Sequence, residues 1–327
     1  MKTRNPFPWV VLAAGLVCFT LLFPERARAE PSTLPVVTPA RDAIAAPVPT
    51  PPRPLLWKVS DGDNVLYLLG SFHLLSKQDY PLSQDVESAF ADAELVYFEI
   101  SPEEMARVNA SNALPARSER RLSDVLPPAV REKLAIALLE TGRRVDDVES
   151  MQPWAVNMAV LTGITDSLGL SASRGLDQHL MGRALTAGKR TGGLETAGDQ
   201  RAALESVSLA VQIKALDELL EHRTLMARTI ADLYRAWRNG DVDLLDKLAR
   251  RSMQENNPES YELINVARNA RWLPIIQSML DGSRSDDALV VVGSLHLLGE
   301  DGLVHALQRR GYQVERVCSD CAAPAAR

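Results

Sequence analysis

The sequence of 327 residues lacks the motifs of several common enzyme classes. It contains no glycine-rich phosphate loop, no Gly-x-Ser-x-Gly elbow and no His-Glu-x-x-His pair. These absences argue against a P-loop nucleotide hydrolase, a serine hydrolase of the α/β type and a zincin protease. A basic stripe with interleaved aromatic residues is also missing, and the formal net charge is −6. The composition therefore gives no support to a nucleic-acid partner.

Cysteine is scarce, with three residues in the whole chain. Cys18 lies in an apolar N-terminal segment, which leaves Cys318 and Cys321 near the other end. Two cysteines cannot form a structural zinc site without further ligands. A redox Cys-x-x-Cys pair would be expected at a helix start, whereas this pair begins a small-residue C-terminal tail, residues 318–327. We therefore predict a disulfide that fastens the last strand.

The first residues are typical of an export signal. Lys2 and Arg4 precede an apolar run at residues 9–23, and small residues suited to a signal peptidase follow it. That run is short for a bilayer core of roughly 30 Å. We predict a signal peptide over residues 1–29, a periplasmic or secreted protein, and no stable membrane span after cleavage.

The rest of the chain falls into a linker and one α/β domain. Residues 30–54 are rich in proline and alanine, which predicts a disordered linker. Short apolar strands then occur near both ends of residues 55–317, while helical periodicity dominates residues 102–281. The pattern predicts an α/β fold with a mixed sheet formed from both ends of the chain. A large helical insertion, with one helix over residues 202–221, would separate the two halves.

One phrase, an apolar strand followed by Gly-x-x-His, occurs twice. Gly70 stands three residues before His73, and Gly293 stands three residues before His296. Glycine lets the backbone turn sharply and leaves room for a ligand, and side chains that follow sheet strands often form a site at the carboxyl edge. We expect both histidines to meet over one pocket walled by the two glycines. The alternative is a duplicated turn in which each histidine only bonds a loop carbonyl.

An acidic residue, Glu99, ends another apolar strand, which we expect beside the strand of His73. Neutral imidazole binds divalent transition metals and acts as a base near neutral pH. A carboxylate nearby would complete a metal site or act as general base on a bound water, unless it is an ordinary solvated strand end. Ser71 and Ser294 are weaker candidates, as nucleophiles, because no third residue that would orient them is evident.

Five further residues are candidates for the pocket wall. Asp177 and His179 follow a glycine at a helix start, about 200° apart around the helix, so they do not share a face. Asp177 alternatively serves as a first-turn acid favoured by the helix dipole. Glu195 follows a short predicted strand. Arg268 and Asn269 would clamp a substrate carboxylate or carbonyl, or else belong to a helix surface.

Together these motifs resemble the TraB/PrgY/GumN family, which is related to the Tiki proteases. Besides the two Gly-x-x-His phrases and Glu99, the resemblance rests on Gly-Leu-Asp-Gln-His at 175–179, Gly-Leu-Glu-Thr at 193–196 and Ala-Arg-Asn at 267–269. It extends over residues 55–317. The resemblance implies an α/β fold of the erythromycin-esterase/ChaN-like type.

In the Tiki branch the resemblance further implies a metal-dependent peptidase. His73, His296 and Glu99 would then bind a divalent ion (manganese, cobalt or zinc) and carry catalysis, and Arg268 would hold the substrate or the developing oxyanion. We therefore expect an exported metal-dependent hydrolase, a peptidase that acts on peptides or proteins. The alternative is a non-catalytic periplasmic binding protein for a peptide or a haem-like ligand. Relatives named for pheromone shutdown and conjugal transfer, and the haem-binding ChaN fold, motivate it.

Overall fold

The computed structural model describes residues 50–61, 64–110, 118–282 and 286–321. The predicted signal peptide, most of the predicted linker and residues 322–327 of the predicted tail lie outside the described residues. Within these ranges, no helix combines the length and the apolar character that crossing a membrane requires.

The strands of the described residues form one mixed sheet. They are β1 (Leu55–Ser60), β2 (Val65–Ser71), β3 (Leu95–Phe98), β4 (Arg190–Gly193), β5 (Ala288–Gly293) and β6 (Gln313–Arg316). Their order across the sheet is β4-β3-β5-β2-β1-β6. Strands β2 to β5 are parallel, and β1 runs antiparallel to both β2 and β6. The predicted α/β class, with a mixed sheet drawn from both ends of the chain, is confirmed.

Strand β5 occupies the middle of the sheet, between β3 and β2. All of its residues are buried, as its continuous run of valines requires of a strand covered on both faces. Glu99 follows β3. Its strand therefore lies beside β5, which precedes His296, and not beside β2, which precedes His73. The prediction that Glu99 lies beside the strand of His73 is wrong, because the most apolar strand takes the central place and separates them.

Helices connect the strands and fill the region between β3 and β5. They are α1 (Gln84–Asp92), α2 (Pro102–Ala110), α3 (Leu122–Val125), α4 (Pro128–Leu139), α5 (Pro153–Ser167), α6 (Leu176–Thr186), α7 (Ala197–Glu205), α8 (Leu209–Glu221), α9 (Arg223–Asn239), α10 (Val242–Leu245), α11 (Ser252–Asn256), α12 (Pro258–Tyr261), α13 (Ala267–Leu280) and α14 (Leu303–Arg309). Two π-helical turns, Asp246–Arg251 and Glu262–Val266, interrupt the later helices. A 3-10 turn, Ser294–Leu297, follows β5. The predicted helical region is thus present, with β4 as a short strand inside it.

The helix predicted over residues 202–221 is wrong, because the structure has two helices there. Helix α7 begins earlier, where Thr196 caps it: the threonine oxygen accepts from the Asp199 backbone N–H, and the Asp199 carboxylate accepts from the Thr196 N–H. Between α7 and α8 the amide of Gln212 donates to the carbonyl of Val207 at 2.7 Å. No glycine or proline marks this break in the sequence.

The final residues of the predicted linker are bonded to the domain. The Arg53 N–H donates to the Arg238 carbonyl at 2.7 Å, and the Arg238 guanidinium donates to the Thr50 carbonyl at 2.9 Å. Residues 50–54 are therefore attached to α9 and are not a free tether.

A disulfide closes the other end of the domain. It joins Cys318 to Cys321, as the sequence predicts. Ser319, inside this loop, donates from its backbone N–H and its hydroxyl to the Asp85 carboxylate, at 2.7 and 2.6 Å. The clip therefore fastens the segment after β6 to helix α1.

Candidate active site

His73, after β2, presents one ring nitrogen to the interior without a partner. Its Nδ1 lies 2.6 Å from Oδ1 of Asp177, at the start of α6. Because a carboxylate accepts hydrogen bonds, Nδ1 carries a proton, and in the neutral form of the imidazole the lone pair is therefore on Nε2. Nε2 has no hydrogen-bond partner among the described residues. A histidine held in this way suits metal binding as well as general-base chemistry.

The charges around His73 raise its pKa. Burial opposes the charged imidazolium and by itself lowers the pKa, but the nearby Asp177 carboxylate and the charge of Glu99 outweigh it. A cation that binds Nε2 must therefore displace a proton, so its affinity increases with pH.

His296, in the turn after β5, is buried completely and differs in its partners. Its Nδ1 lies 2.7 Å from Oδ1 of Asn269. The Asn269 amide nitrogen donates to the carbonyls of His296 and Asp301, at 3.2 and 2.9 Å. The amide oxygen therefore faces the ring, Nδ1 carries the proton, and Nε2 accepts from Arg268 at 3.2 Å. Burial, and then the positive charges of Arg268 and His73, keep the pKa of His296 well below its usual value.

Arg268 is fully buried between two carboxylates. Its Nη2 donates to Glu99 and to Glu195, at 2.6 Å in each case. Its Nε donates to both oxygens of Glu195, at 3.1 and 3.2 Å. Trp272 also donates to Glu195, at 3.2 Å. The alternative in which Arg268 is a helix-surface charge is wrong, because its guanidinium supports the acidic groups behind the strand ends.

The carboxylates of this cluster are incompletely balanced. Glu99 shares Arg268 with Glu195, which Arg271 also approaches from the surface at 3.9 Å. Asp177 has the imidazolium form of His73 as its charged partner. Burial raises the pKa of Glu195 although Arg268 opposes the shift. Buried negative charge is unfavourable unless a proton or a cation compensates it, so these carboxylates need one or the other.

A cavity of about 10 Å³, close to the space that one water or ion needs, lies beside these groups. Its lining residues are His73, Glu99, Asp177 and Gln200, with Phe98, Ile100, Met105, Met181 and Val291. Three of the polar residues offer an acceptor atom with no partner in the described part of the chain: Nε2 of His73, Oδ2 of Asp177 and Oε1 of Gln200. The polar part of the cavity lining therefore offers mainly hydrogen-bond acceptors. Such a wall suits a cation or a hydrogen-bond donor.

In the described part of the chain, the predicted metal ligands lie near one another but do not form a complete metal-binding site. Among the described residues, no three His, Cys, Asp or Glu side chains are placed so that they would hold a metal ion. His296 is absent from the cavity lining, and its Nε2 lies 4.0 Å from Oε1 of Glu99. Arg268 occupies that nitrogen, so metal binding through His296 requires this contact to be exchanged.

The comparison with known proteins assigns the chain to a family. Residues 55–316 match the TraB/PrgY/gumN family. The chain belongs to this family. It is similar to uncharacterized protein YbaP of Escherichia coli (strain K12), with 26% identity over 253 residues that cover 76% of this chain and 89% of YbaP. YbaP of Shigella flexneri is similar to the same extent. No solved structure matches the chain.

The two glycines of this family member serve packing and positioning. A Cβ atom on Gly70 would lie 2.7 Å from the Ser294 hydroxyl, so glycine lets the two repeated turns pack against each other. The Gly293 N–H donates to Oε1 of Glu99 at 2.8 Å and positions that carboxylate. The Ser294 hydroxyl donates to the carbonyl of Ser71 at 3.0 Å, which argues against Ser294 as a nucleophile.

His179 lies apart from the cavity lining. Its ring packs on Tyr80 with centroids 4.1 Å apart, and it is half-buried. Burial lowers the pKa of His179, and the Arg183 charge lowers it further. The 200° separation from Asp177 that the sequence predicts explains why one residue faces His73 and the other faces away.

Two positioning residues were missed by the sequence analysis. The Gln200 amide, on α7, donates to Glu99 at 3.2 Å and to Glu195 at 3.4 Å. The Trp237 indole, on α9, donates to the Gly70 carbonyl at 2.9 Å and thereby holds the first turn. The Thr-x-x-Asp capping signal after Glu195 marks the start of α7 and could have indicated Gln200. No local signal indicates Trp237.

Gly175 permits the close approach that brings Asp177 to His73. A Cβ atom there would overlap the carbonyl oxygen of His73, while a Cβ atom on Gly182, inside the helix α6 that Gly175 precedes, would meet nothing within 4 Å. We expect Gly175→Ala to lower the free energy of unfolding by about 1–3 kcal/mol. Gly182→Ala should instead raise it by about 0.5–1 kcal/mol. Urea denaturation of both variants checks this, and equal effects would contradict the close approach.

Proposed function

We propose that this TraB/PrgY/gumN family member is a metal-dependent hydrolase that cleaves peptide bonds. One observation carries the proposal: unpartnered acceptors of His73, Asp177 and Gln200 line a single small cavity together with Glu99. A buried polar atom without a partner costs about 1–3 kcal/mol. A cation bound in this cavity would give the unpartnered nitrogen of His73 a partner, and imidazole with oxygen donors suits manganese, cobalt or zinc.

The chain's own residues have distinct tasks in this proposal. His73 and Glu99 would hold the ion, with His296 as a third ligand once Arg268 releases its Nε2. A bound divalent ion supplies Lewis acidity and lowers the pKa of a water molecule. Asp177 keeps the His73 proton on Nδ1. Glu99, fixed by the Gly293 N–H, would accept a proton as general base.

Arg268 would contribute electrostatics and not direct coordination. Its guanidinium donates to Glu99 and to Nε2 of His296. This position places a positive charge beside Glu99 and lowers the pKa of His296, after burial, so that His296 stays neutral as metal binding needs. Its positive charge also favours an oxyanion that develops near Glu99.

The size of the cavity is consistent with a metal site. A volume of about 10 Å³ accepts an ion or a water molecule.

We also propose that the protein is exported and acts on peptides or proteins there. The pattern of residues 1–29 supports export. The disulfide between Cys318 and Cys321 supports it independently, because such bonds persist in oxidising compartments.

Metal removal and restoration test the proposal on the purified protein. We expect about one equivalent of divalent metal, and hydrolysis of a pool of fluorogenic peptides that a chelator abolishes and manganese, cobalt or zinc restores. Glu99→Gln should lower the rate by about 10²–10⁴-fold. Glu103→Gln, at a carboxylate 83% exposed on α2, is the matched control and should retain the rate. Absence of bound metal and of hydrolysis with all three ions would contradict the proposal.

A further inference from the structure

Gln200, on α7, is a buried glutamine whose side-chain amide is bonded at one end only. It is 2% exposed. Its amide nitrogen donates to Oε2 of Glu99 at 3.2 Å and to Oε1 of Glu195 at 3.4 Å. Its amide oxygen has no hydrogen-bond partner among the described residues. Most buried polar side-chain atoms have a partner, so this oxygen needs one from outside the chain.

The two glutamates determine which way the amide of Gln200 faces. A carboxylate accepts hydrogen bonds, so the NH2 group faces Glu99 and Glu195. The opposite orientation would place the amide oxygen against two acidic groups. Both hydrogens of the nitrogen are used in this way, and Gln200 also lines the cavity that contains Glu99 and His73. Gln200 therefore offers this cavity an acceptor and no free N–H.

A second buried glutamine, Gln212 on α8, shows how a purely structural glutamine is bonded in this protein. It is 6% exposed. Its amide nitrogen donates to the carbonyl of Val207 at 2.7 Å, and its amide oxygen accepts from the backbone N–H of Trp154 at 3.3 Å. The chain thus satisfies both ends of Gln212, whereas it leaves the oxygen of Gln200 for a molecule in the cavity.

The size and the chemistry of the cavity favour water as that molecule. Its volume of about 10 Å³ is close to the space that one water needs. Glu99, in the same lining, accepts from the Gly293 N–H, from Arg268 and from Gln200. A carboxylate has about four acceptor sites, so Glu99 can accept one further hydrogen. A single water molecule can therefore donate one hydrogen to Gln200 and the other to Glu99.

We propose that Gln200 binds the water molecule that attacks the substrate, through the hydrogen that this water retains. The inference rests on the proposed function for the reaction itself and adds the residue that orients its nucleophile. The water oxygen would form a bond to the substrate carbonyl carbon, and the π electrons of the carbonyl would move to its oxygen. The second hydrogen of the water would pass as a proton to Glu99.

The division of the two hydrogens follows from the chemistry of their acceptors. An amide oxygen accepts a hydrogen bond but is too weak a base to take the proton at neutral pH, so the hydrogen on Gln200 stays with the water oxygen. The carboxylate of Glu99 is the stronger base and takes the other. Two fixed acceptors also orient the water, so that its lone pairs are left for the attack.

A crystal structure of the full chain after metal removal tests the water site without hydrolysis. We expect an ordered water within about 3.2 Å of Oε1 of Gln200 in the wild-type protein. Gln200→Met keeps the length of the side chain but removes the amide, so the water should be absent from that position in the variant. Absence of ordered water there in the wild-type protein would overturn the inference, whether or not the variant folds.

Kinetics with a fluorogenic peptide that the wild-type protein cleaves give a second readout. Gln200→Met should lower kcat by about 10–100-fold. KM and metal content should stay unchanged, because Gln200 is expected to contact neither the substrate nor the ion. Gln212→Met is the matched control: it also removes a buried glutamine amide, and it should leave kcat at the wild-type level.

Three kinetic or binding results would overturn the inference: a wild-type kcat in Gln200→Met, equal losses of kcat in Gln200→Met and Gln212→Met, or loss of bound metal in Gln200→Met, which would make Gln200 a metal ligand. Failure of the hydrolase proposal is distinguishable. A chain that holds the water on Gln200 but cleaves no peptide with any of the three metals would contradict hydrolysis alone.

Discussion

Replacing His73 with glutamine is expected to abolish metal binding and to lower peptide hydrolysis by about 10²–10⁴-fold. The imidazole Nε2 is the unpartnered nitrogen of the cavity lining, and glutamine offers no equivalent ligand there. Glutamine does retain an amide that can donate to Asp177, so the buried carboxylate keeps a partner. Metal content of the purified variant, measured by mass spectrometry beside the rate of hydrolysis, checks the expectation.

The matched control for this variant is His179→Gln. His179 lies two residues from Asp177 but packs on Tyr80 outside the cavity lining, so metal content and rate should stay at the wild-type level. Asp177→Asn should have an intermediate effect, with metal affinity about 10–100-fold lower, because it weakens the group that orients His73. Stoichiometric metal in His73→Gln would rule out this histidine as a ligand.

Replacing Arg268 with alanine is expected to lower the free energy of unfolding by about 3–5 kcal/mol. The substitution leaves Glu99 and Glu195 buried without the guanidinium that both contact at 2.6 Å, and it removes the donor to Nε2 of His296. Uncompensated buried charge is among the largest single causes of destabilisation. Urea denaturation at neutral pH measures the loss.

The control for Arg268→Ala is Arg107→Ala. Arg107 pairs with Glu103 on the surface of α2, where both side chains are largely exposed, so the loss should be at most about 0.5 kcal/mol. Similar losses in the two variants would contradict the supporting role of Arg268.

The stability that is lost in Arg268→Ala should become smaller as the pH falls. Without the guanidinium, burial raises the pKa of Glu195 further above its unfolded value. The folded variant then binds more protons than the unfolded chain, and its stability increases relative to the wild-type protein as the pH falls toward the ordinary glutamate pKa. If the difference in free energy of unfolding between the variant and the wild-type protein became larger at acidic pH, this account would be contradicted.

Features that depend on neighbours along the chain could be predicted from the sequence. The apolar strands before Gly70 and Gly293, the strand that ends at Glu99 and the separation of Asp177 from His179 are local patterns, and each is present in the structure. The family could also be recognised, because its motifs lie in order along the chain.

Pairings between distant segments could not be predicted. The partner of Nε2 in His296 is Arg268, and that of Oε2 in Glu99 includes Gln200. These contacts join the residues after β5 and β3 to helices of the insertion, and no periodicity of the sequence specifies them.

The sequence by itself determined the α/β class and the two Gly-x-x-His turns, because hydrophobic periodicity and glycine placement act within a few residues. It also supplied the candidate residues for the site. The tertiary structure decided which of those residues meet. It placed β5 between β2 and β3, put Arg268 on His296 and left Nε2 of His73 facing the cavity. The physical reason is that strand order and side-chain pairing reduce buried unbalanced charge and exposed apolar surface over the whole molecule, and both quantities depend on contacts between residues far apart in the sequence.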